Sequence, residues 1–506
     1  MTSKSPKVER YVKIAATAGK AAQSGEKIKF GDWSNENGQY LTAILAVGLD
    51  LIPVLGPALS SLALVSGYVM FPPEAKDPWS QLRAPVENLI GEKITDYHVK
   101  ILQGRADGLQ ANSDAFRSVW NSYSKSPASE RKRHAETLRE HYVAFLSVLR
   151  TVMPDFQTEA YSVPALPEFD LVAILHLTLL ADGIKHGVEW GFNKDFITET
   201  LKPEFHKLTG SGKGPRSLST RSDSASMNTT TGITQTELDI LRGAIEEGDK
   251  SGWPPTLLDS WKEAYADLTV ESPRLARRSL MDYPSYAKQT YEQGRKLVKP
   301  YESKWEETHE KEALLLRAIS DYDATMFSTV LAHAEFWPCI TGEVEMSAES
   351  WEIVGREIYS GPFGRYAEYA KWSTSEPPAV TPRQDNITQI VVRAWNDIDG
   401  FGVKRGEEWD FWQGSKVGGA ENWVNLGDDE YIISVDVGWG HKIGHLKFVS
   451  NKRDFGPYGI SKNAKFSDIV NHTGYGLTSM YMTHFGYAEP TGIEGIFFGF
   501  RPLLSY

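Results

Sequence analysis

The chain has 506 residues, 41% of them hydrophobic and 24% charged, with a formal net charge of -12. That length exceeds a single core and predicts two or three domains. The composition excludes a disordered chain, and the acidity without a long basic stripe excludes a general nucleic-acid binder. One cysteine, Cys339, excludes a disulfide framework and suits a reducing compartment.

The N-terminal residues are charged throughout and contain no apolar core of signal-peptide length, so the chain reads as soluble. Leu41 to Phe71 carries a single charge, Asp50, and is apolar enough to suggest a membrane span. Pro53, Gly56 and Pro57 divide it, and no Trp/Tyr belt or Lys/Arg cluster anchors its ends. Two packed helices are the expectation there. From Asp77 to Tyr123 a capping Asp77 and a first-turn Pro78 precede Leu82, Val86, Leu89, Ile90, Ile94, Tyr97 and Ile101 at helical spacing. Ser129 to Phe156 predicts a further helix, charged at its start and apolar toward Pro154.

Pro164 to Phe192 stands apart. From Phe169 to Leu180 it is apolar on nearly every face, with only Asp170, His176 and Thr178 interrupting. A surface helix shows a stripe, so this pattern predicts a helix surrounded on all sides. Gly210 to Gly232 is a Ser/Thr/Gly tract expected to be a mobile loop and a protease target. Helices are then expected from about Thr236 to Ser350. Ser373 to Gln384, rich in proline and polar residues, reads as a linker. Beyond Ile387 short alternating segments with glycine-rich turns predict an all-β barrel, sandwich or prism.

Motifs for chemistry are missing from the sequence. There is no HExxH, CxxC, P-loop or GxSxG, and the GSGKG at Gly210 follows no strand. His176 and His186 lie ten apart and fall on different faces, which disfavours a shared metal. His176 reads as a hydrogen-bonded core residue, and Asp182 as a carboxylate with a basic partner inside the bundle. The expectation is a protein that is not an enzyme and uses no cofactor or metal.

The stretch VPALPEFDLVAILHLTLLADGIKHGVEWGF resembles the central helix of the insecticidal crystal delta-endotoxins. Leu175, His176, Leu177, Leu179, Leu180, Asp182, Gly187, Trp190 and Gly191 stand in matching places. Ile174 and Ala181 depart from the usual Asn and Arg. The segment after Asp77 looks like the third helix of that family, DYDATMFSTVLAHAEFWP like its seventh, and Arg356 to Gly364 like the segment that closes its helical domain. Residues from about 207 to 282 have no counterpart and read as an insertion. The tail, with IISVDVGWGHKIGHLKFVSNKRDFGPYG, is similar to the jacalin-related lectins. The expected architecture is α plus all-β: a helical pore-forming domain over 1–372, a linker over 373–385, and a β-prism over 386–506, with the third domain of the toxins absent.

The resemblance implies a pore-forming toxin, of the insecticidal type, that accumulates in the producer's cytoplasm and acts after release at a target-cell membrane, where it oligomerises. A hairpin of two helices would insert, carried by Leu138, Val143, Phe145, Leu146 and Leu149 on one and Leu171, Ile174, Leu175, His176, Leu177, Leu179 and Leu180 on the other. Ala160 to Trp190 as one helix would be ~45 Å long, and Arg139, Glu140, His141 and Arg150 would face a water-filled lumen. The prism would bind a cell-surface glycan or glycoprotein receptor through Trp439, Gly440, His441, Tyr487, Glu489, Thr491 and Glu494. Glu494 stands where the lectin site has Asp and Pro490 where it has Gly, which argues against mannose binding of the familiar sort. The alternative is a carbohydrate-binding lectin whose helical part is a scaffold without membrane activity.

Overall fold

The computed structural model describes residues 78–211, 233–270, 281–302, 310–341, 355–366, 386–410, 412–427, 429–472, 475–483 and 492–502, with a few isolated residues between them. The expectations placed on 41–71, 212–232 and 373–385 lie outside the described residues.

The helical part comprises α1 (Pro78–Ile90), α2 (Asp96–Lys125), α3 (Arg131–Phe156) and α4 (Leu166–His186). A π turn at Ile197–Leu201 runs into α5 (Lys202–Thr209), followed by α6 (Gln235–Ser251), α7 (Pro255–Thr269), α8 (Tyr283–Arg295) and α9 (Glu310–Met326). Local chemistry sets several of these ends. Pro167 occupies the first turn of α4, where its missing N–H costs nothing. Thr234 and Glu237 form a reciprocal capping box on α6, and Gly252, at φ +67°, ends it in the left-handed conformation.

Helix α4 is the axis of the bundle. Of its 21 residues, 19 are buried, and α1, α3, α5 and α8 pack around it. It is shorter than the expected Ala160–Trp190 run. Glu159–Tyr161 is a separate 3-10 turn, and Gly187 closes the far end. Pro164 and Pro167 lack the N–H groups a longer helix would need there. The excursion between α5 and α8 leaves and returns at one place: a Cβ on Gly210 would lie 3.1 Å from Asp282 Cγ.

Three antiparallel sheets build the β part. One contains β1 (Ile358–Gly364), β12 (Gly495–Pro502) and β11 (Tyr475–Thr483) in that order. The second orders β10 (Phe466–Asn471), β7 (Ile432–Trp439), β8 (Ile443–Ser450) and β9 (Asp454–Gly459). The third orders β4 (Glu408–Trp409), β3 (Ile398–Arg405), β2 (Ile387–Ala394) and β6 (Ala420–Asn425), with β5 (Gln413–Gly414) also paired to β3. Alternate residues from all three sheets meet in one core: Ile390, Phe401 and Val424; Val435, Leu446 and Phe448; Met480, Ile496 and Phe498. This is a β-prism.

Strand β1 corrects the expected domain join. Ile358–Gly364 does not close the helical domain; it is an edge strand of the prism, with Ile358 opposite Phe500 and Gly364 opposite Gly495. Helix α9 packs on β1, and Ala324, Phe327 and Ala332 share the prism's core cluster. Arg317 of α9 pairs with Asp468 of β10 and lies over the rings of Phe363 and Trp439, 4.4 and 5.2 Å from their centroids. The helical and β parts are thus fastened by both apolar and ionic contacts.

Candidate functional site

Two places follow from the expectations: the α3–α4 pair inside the bundle and the loop end of the prism. In the pair, Leu138, Val143, Phe145, Leu146 and Leu149 of α3 and Leu171, Ile174, Leu175, Leu177, Leu179 and Leu180 of α4 are all buried in one cluster. From His141 to Phe156 every residue of α3 is buried, so in this state the helix is covered on both faces rather than amphipathic. The cover on its outer side comes from α6 and α7.

Polar groups inside the bundle are handled mostly by pairing. Arg150 is fully buried and donates from Nε to both oxygens of Glu204 (3.1 and 3.2 Å) and from Nη1 to Glu237 Oε1 at 2.8 Å. His176 is buried, with Nδ1 2.8 Å from the Tyr283 hydroxyl and Nε2 3.7 Å from Glu204 Oε1. One connected set therefore joins α3, α4, α5, α6 and α8. At the other end of α4, Glu168 accepts from Arg83 Nη1 of α1 at 2.9 Å. Charges buried in this way are tolerated because each carboxylate meets a donor.

Arg150 and His141, expected to face the lumen of an oligomer, are internal in this closed bundle: Arg150 sits between two glutamates, and the His141 ring packs 4.9 Å from Trp253 and 5.3 Å from Trp261. Arg139 and Glu140 are half-buried. Asp182, expected to have a basic partner, feels the charge of Lys185, but both its carboxylate oxygens are buried without a hydrogen bond, and burial raises its pKa well above the usual carboxylate range. Ala181 beside it is buried, and Lys185, one turn on, is exposed. Glu204, Glu237 and Tyr283 were not singled out from the sequence. For Glu237 a signal existed, the Thr-x-x-Glu spacing of a capping box at Thr234.

At the prism end, Gly440 and the exposed His441 form the turn between β7 and β8, with Gly440 N–H donating to the Lys442 carbonyl at 2.9 Å. Ile493 bridges this turn to the start of β3: its carbonyl accepts from Ile443 N–H at 2.8 Å and its N–H donates to Ile398 O at 2.9 Å. Gly440, His441 and Glu494 therefore belong to one edge. Tyr487, Glu489 and Thr491 lie outside the described residues. Trp439, at the end of β7 beside this turn, is half-buried. Its ring packs against Phe363 (5.4 Å) and stacks on Phe466 (5.9 Å) beneath Arg317, where α9 holds it.

Residues 44–210 match the delta endotoxin N-terminal domain family, and residues 360–483 match the jacalin-like lectin domain family. The chain thus joins a delta-endotoxin helical domain to a jacalin-like domain. Pesticidal crystal protein Cry8Ca of Bacillus thuringiensis subsp. japonensis is 30% identical over 179 residues, 32% of this chain and 15% of that protein. Cry1Ad of Bacillus thuringiensis subsp. aizawai is 27% identical over 189 residues, 37% of this chain and again 15% of the relative. The chain therefore matches under a sixth of the length of these curated relatives. The crystal structure of Bacillus thuringiensis insecticidal crystal protein Cry7Ca1 superposes with a TM-score of 0.59 at 15% identity, covering 93% of this chain and 75% of that one, which establishes a shared fold. Among the described residues no helix is long and apolar enough to cross a membrane, and no cluster of His, Cys, Asp or Glu could hold a metal ion.

Proposed function

We propose that the chain is a pore-forming toxin of the insecticidal type, in which residues up to about 340 form the pore-forming bundle and the prism from Ile358 onward binds a cell-surface glycan or glycoprotein. The reading rests on one observation above others: a 21-residue helix buried on every face at the centre of a bundle. At 1.5 Å per residue α4 is ~31 Å long, the thickness of a ~30 Å hydrocarbon core. Glu168 and His176 meet partners on other helices while Asp182 makes no hydrogen bond, and α4 packs along α3, so α4 enters lipid paired with α3 rather than alone, and α3 turns its polar residues toward an oligomeric lumen. Helices suit this because each satisfies its own backbone hydrogen bonds. The same domain type occurs in the pesticidal crystal proteins that the chain resembles. Dye-loaded vesicles bearing midgut-type glycolipids, treated with the chain before and after limited proteolysis, test it: release of dye is expected. Intact vesicles at every pH and lipid composition would refute it.

A second reading is favoured by the lack, among the described residues, of a helix able to cross a membrane unaided. In that reading the chain is a lectin and the bundle a scaffold. A glycan array gives binding under both readings, so the vesicle result separates them.

A further inference from the structure

The excursion between α5 and α8 is placed on the pore-forming helices themselves. Its helix α6 brings Glu237 to Arg150 of α3 at 2.8 Å, and the α6–α7 connection brings Trp253 onto His141. Trp261 of α7 packs on the same imidazole edge-on, 5.4 Å from Trp253, and donates from Nε1 to Asn112 Oδ1 of α2 at 2.6 Å. Asn112 Nδ2 in turn donates to Ser260 Oγ at 2.8 Å, and Arg105 of α2 pairs with Glu263 of α7. The chain returns to Asp282, beside Gly210 where it left, so the rest of the bundle's path does not require these helices.

Two of the α3 residues that the pore reading turns toward water, His141 and Arg150, are touched by this excursion. Beside the contact runs an open cleft of about 680 Å³, lined by Asp107, Asp114, Thr137, His141, Trp253 and Leu257. Much of the contact is polar, and hydrogen bonds to water can replace those between the two faces at small net cost. The apolar remainder, Leu241, Leu257 and Trp261, is surface that lipid would also accept.

We infer that residues 234–269 are a clasp that holds α2 and α3 in the closed bundle and that must come off them before the α3–α4 hairpin inserts. The second half of that statement rests on the pore-forming reading; the first does not. With the clasp in place α3 has no polar face to offer a lumen. With it gone, His141 loses its two tryptophan neighbours on one side of α3, and Arg150, nine residues on and on the other side, loses Glu237 and keeps only Glu204 of α5.

A disulfide tests the clasp in the full chain. A Cβ on Gly108 of α2 would stand 3.4 Å from Ser260 Cβ of α7, close to the ~3.5–4.5 Å that a disulfide spans. The native cysteine, Cys339, is buried and does not compete. In the Gly108→Cys/Ser260→Cys protein, hydrogen exchange of the Tyr142–Val152 amides is expected to slow at least tenfold on oxidation. In a Trp253→Ala protein, which leaves the rest of the clasp to fold, it is expected to quicken at least tenfold. Exchange that ignores both changes overturns the clasp, whatever vesicles do. On dye-loaded vesicles the oxidised protein is expected to be silent and the reduced protein active. Equal leakage by both forms overturns the requirement for release. Silence from both, with the exchange response intact, refutes the pore reading and leaves the clasp standing.

Discussion

Replacing Arg150 by alanine removes the donor that two buried carboxylates share. Glu237 is 1% exposed and Glu204 11% exposed at their side chains, so neither is replaced by bulk solvent as a partner. Glu237 keeps its capping contacts with Thr234, at 2.8 Å to the backbone N–H, and Glu204 keeps His176 at 3.7 Å. The guanidinium's hydrogen bonds to both are lost, and two negative charges then face one another across a cavity. Breaking a buried ion pair from one side typically costs about 3–5 kcal/mol, at least a hundredfold in the folding equilibrium. Urea unfolding followed by far-UV circular dichroism and by tryptophan fluorescence, which reports Trp253 and Trp261 beside α3, measures the loss. The triple variant Arg150→Met/Glu204→Gln/Glu237→Gln is expected to recover at least half of it, because no unpaired charge is left and Gln still serves the capping box. A loss under about 1 kcal/mol for Arg150→Ala would refute the claim that this network, rather than apolar packing alone, ties α3 to α5 and α6.

Gly183 sits where α4 passes Tyr142, and an added Cβ would come 2.0 Å from Tyr142 Oη and 2.8 Å from Leu201 Cδ1. Gly183→Ala is expected to destabilise by about 1–3 kcal/mol despite alanine's better helix propensity, measured as a fall in the urea midpoint. In the prism, burial pushes the His472 imidazole down to about 4, below the usual ~6.5. The neutral ring is the folded form, so its contribution is complete above the unfolded value and is lost as pH falls from about 6.5 to about 4. At ~1.4 kcal/mol per unit the loss is at most about 3.5 kcal/mol. A His472→Gln protein, which can still hydrogen-bond the Ser360 hydroxyl that lies 2.8 Å from Nε2, is expected to show a flatter stability profile across that window. An unchanged slope would count against the assignment.

What the sequence made legible was local. The all-round apolar pattern of Phe169 to Leu180 is enough to demand a central helix, and the alternation after Ile387 is enough to demand sheets, because each depends on residues within a few positions. The features that escaped depend on distant partners. Ile358–Gly364 reads like the end of a helical domain until its partner strand, Gly495–Pro502, is brought beside it. Arg150 reads as the polar face of an amphipathic helix until Glu237, 87 positions on, arrives over it. Trp439 looks like a loop aromatic free for a ligand, yet Arg317 from another domain lies above its ring. Of the residues expected to contact a glycan, Gly440, His441 and Glu494 lie along one edge among the described residues, joined through the backbone of Ile443 and Ile493.

The meeting of Gly210 and Asp282 makes residues 211–281 an outgrowth that departs and rejoins at adjacent points, and so leaves the path of the helices around it unchanged. The chemistry of α3 is nevertheless shared with it. Glu237 is one of the two carboxylates that make a buried Arg150 tolerable, and Trp253 and Trp261 shelter His141. Without the excursion Arg150 would keep Glu204 as its one carboxylate, and His141 would lie uncovered on that side.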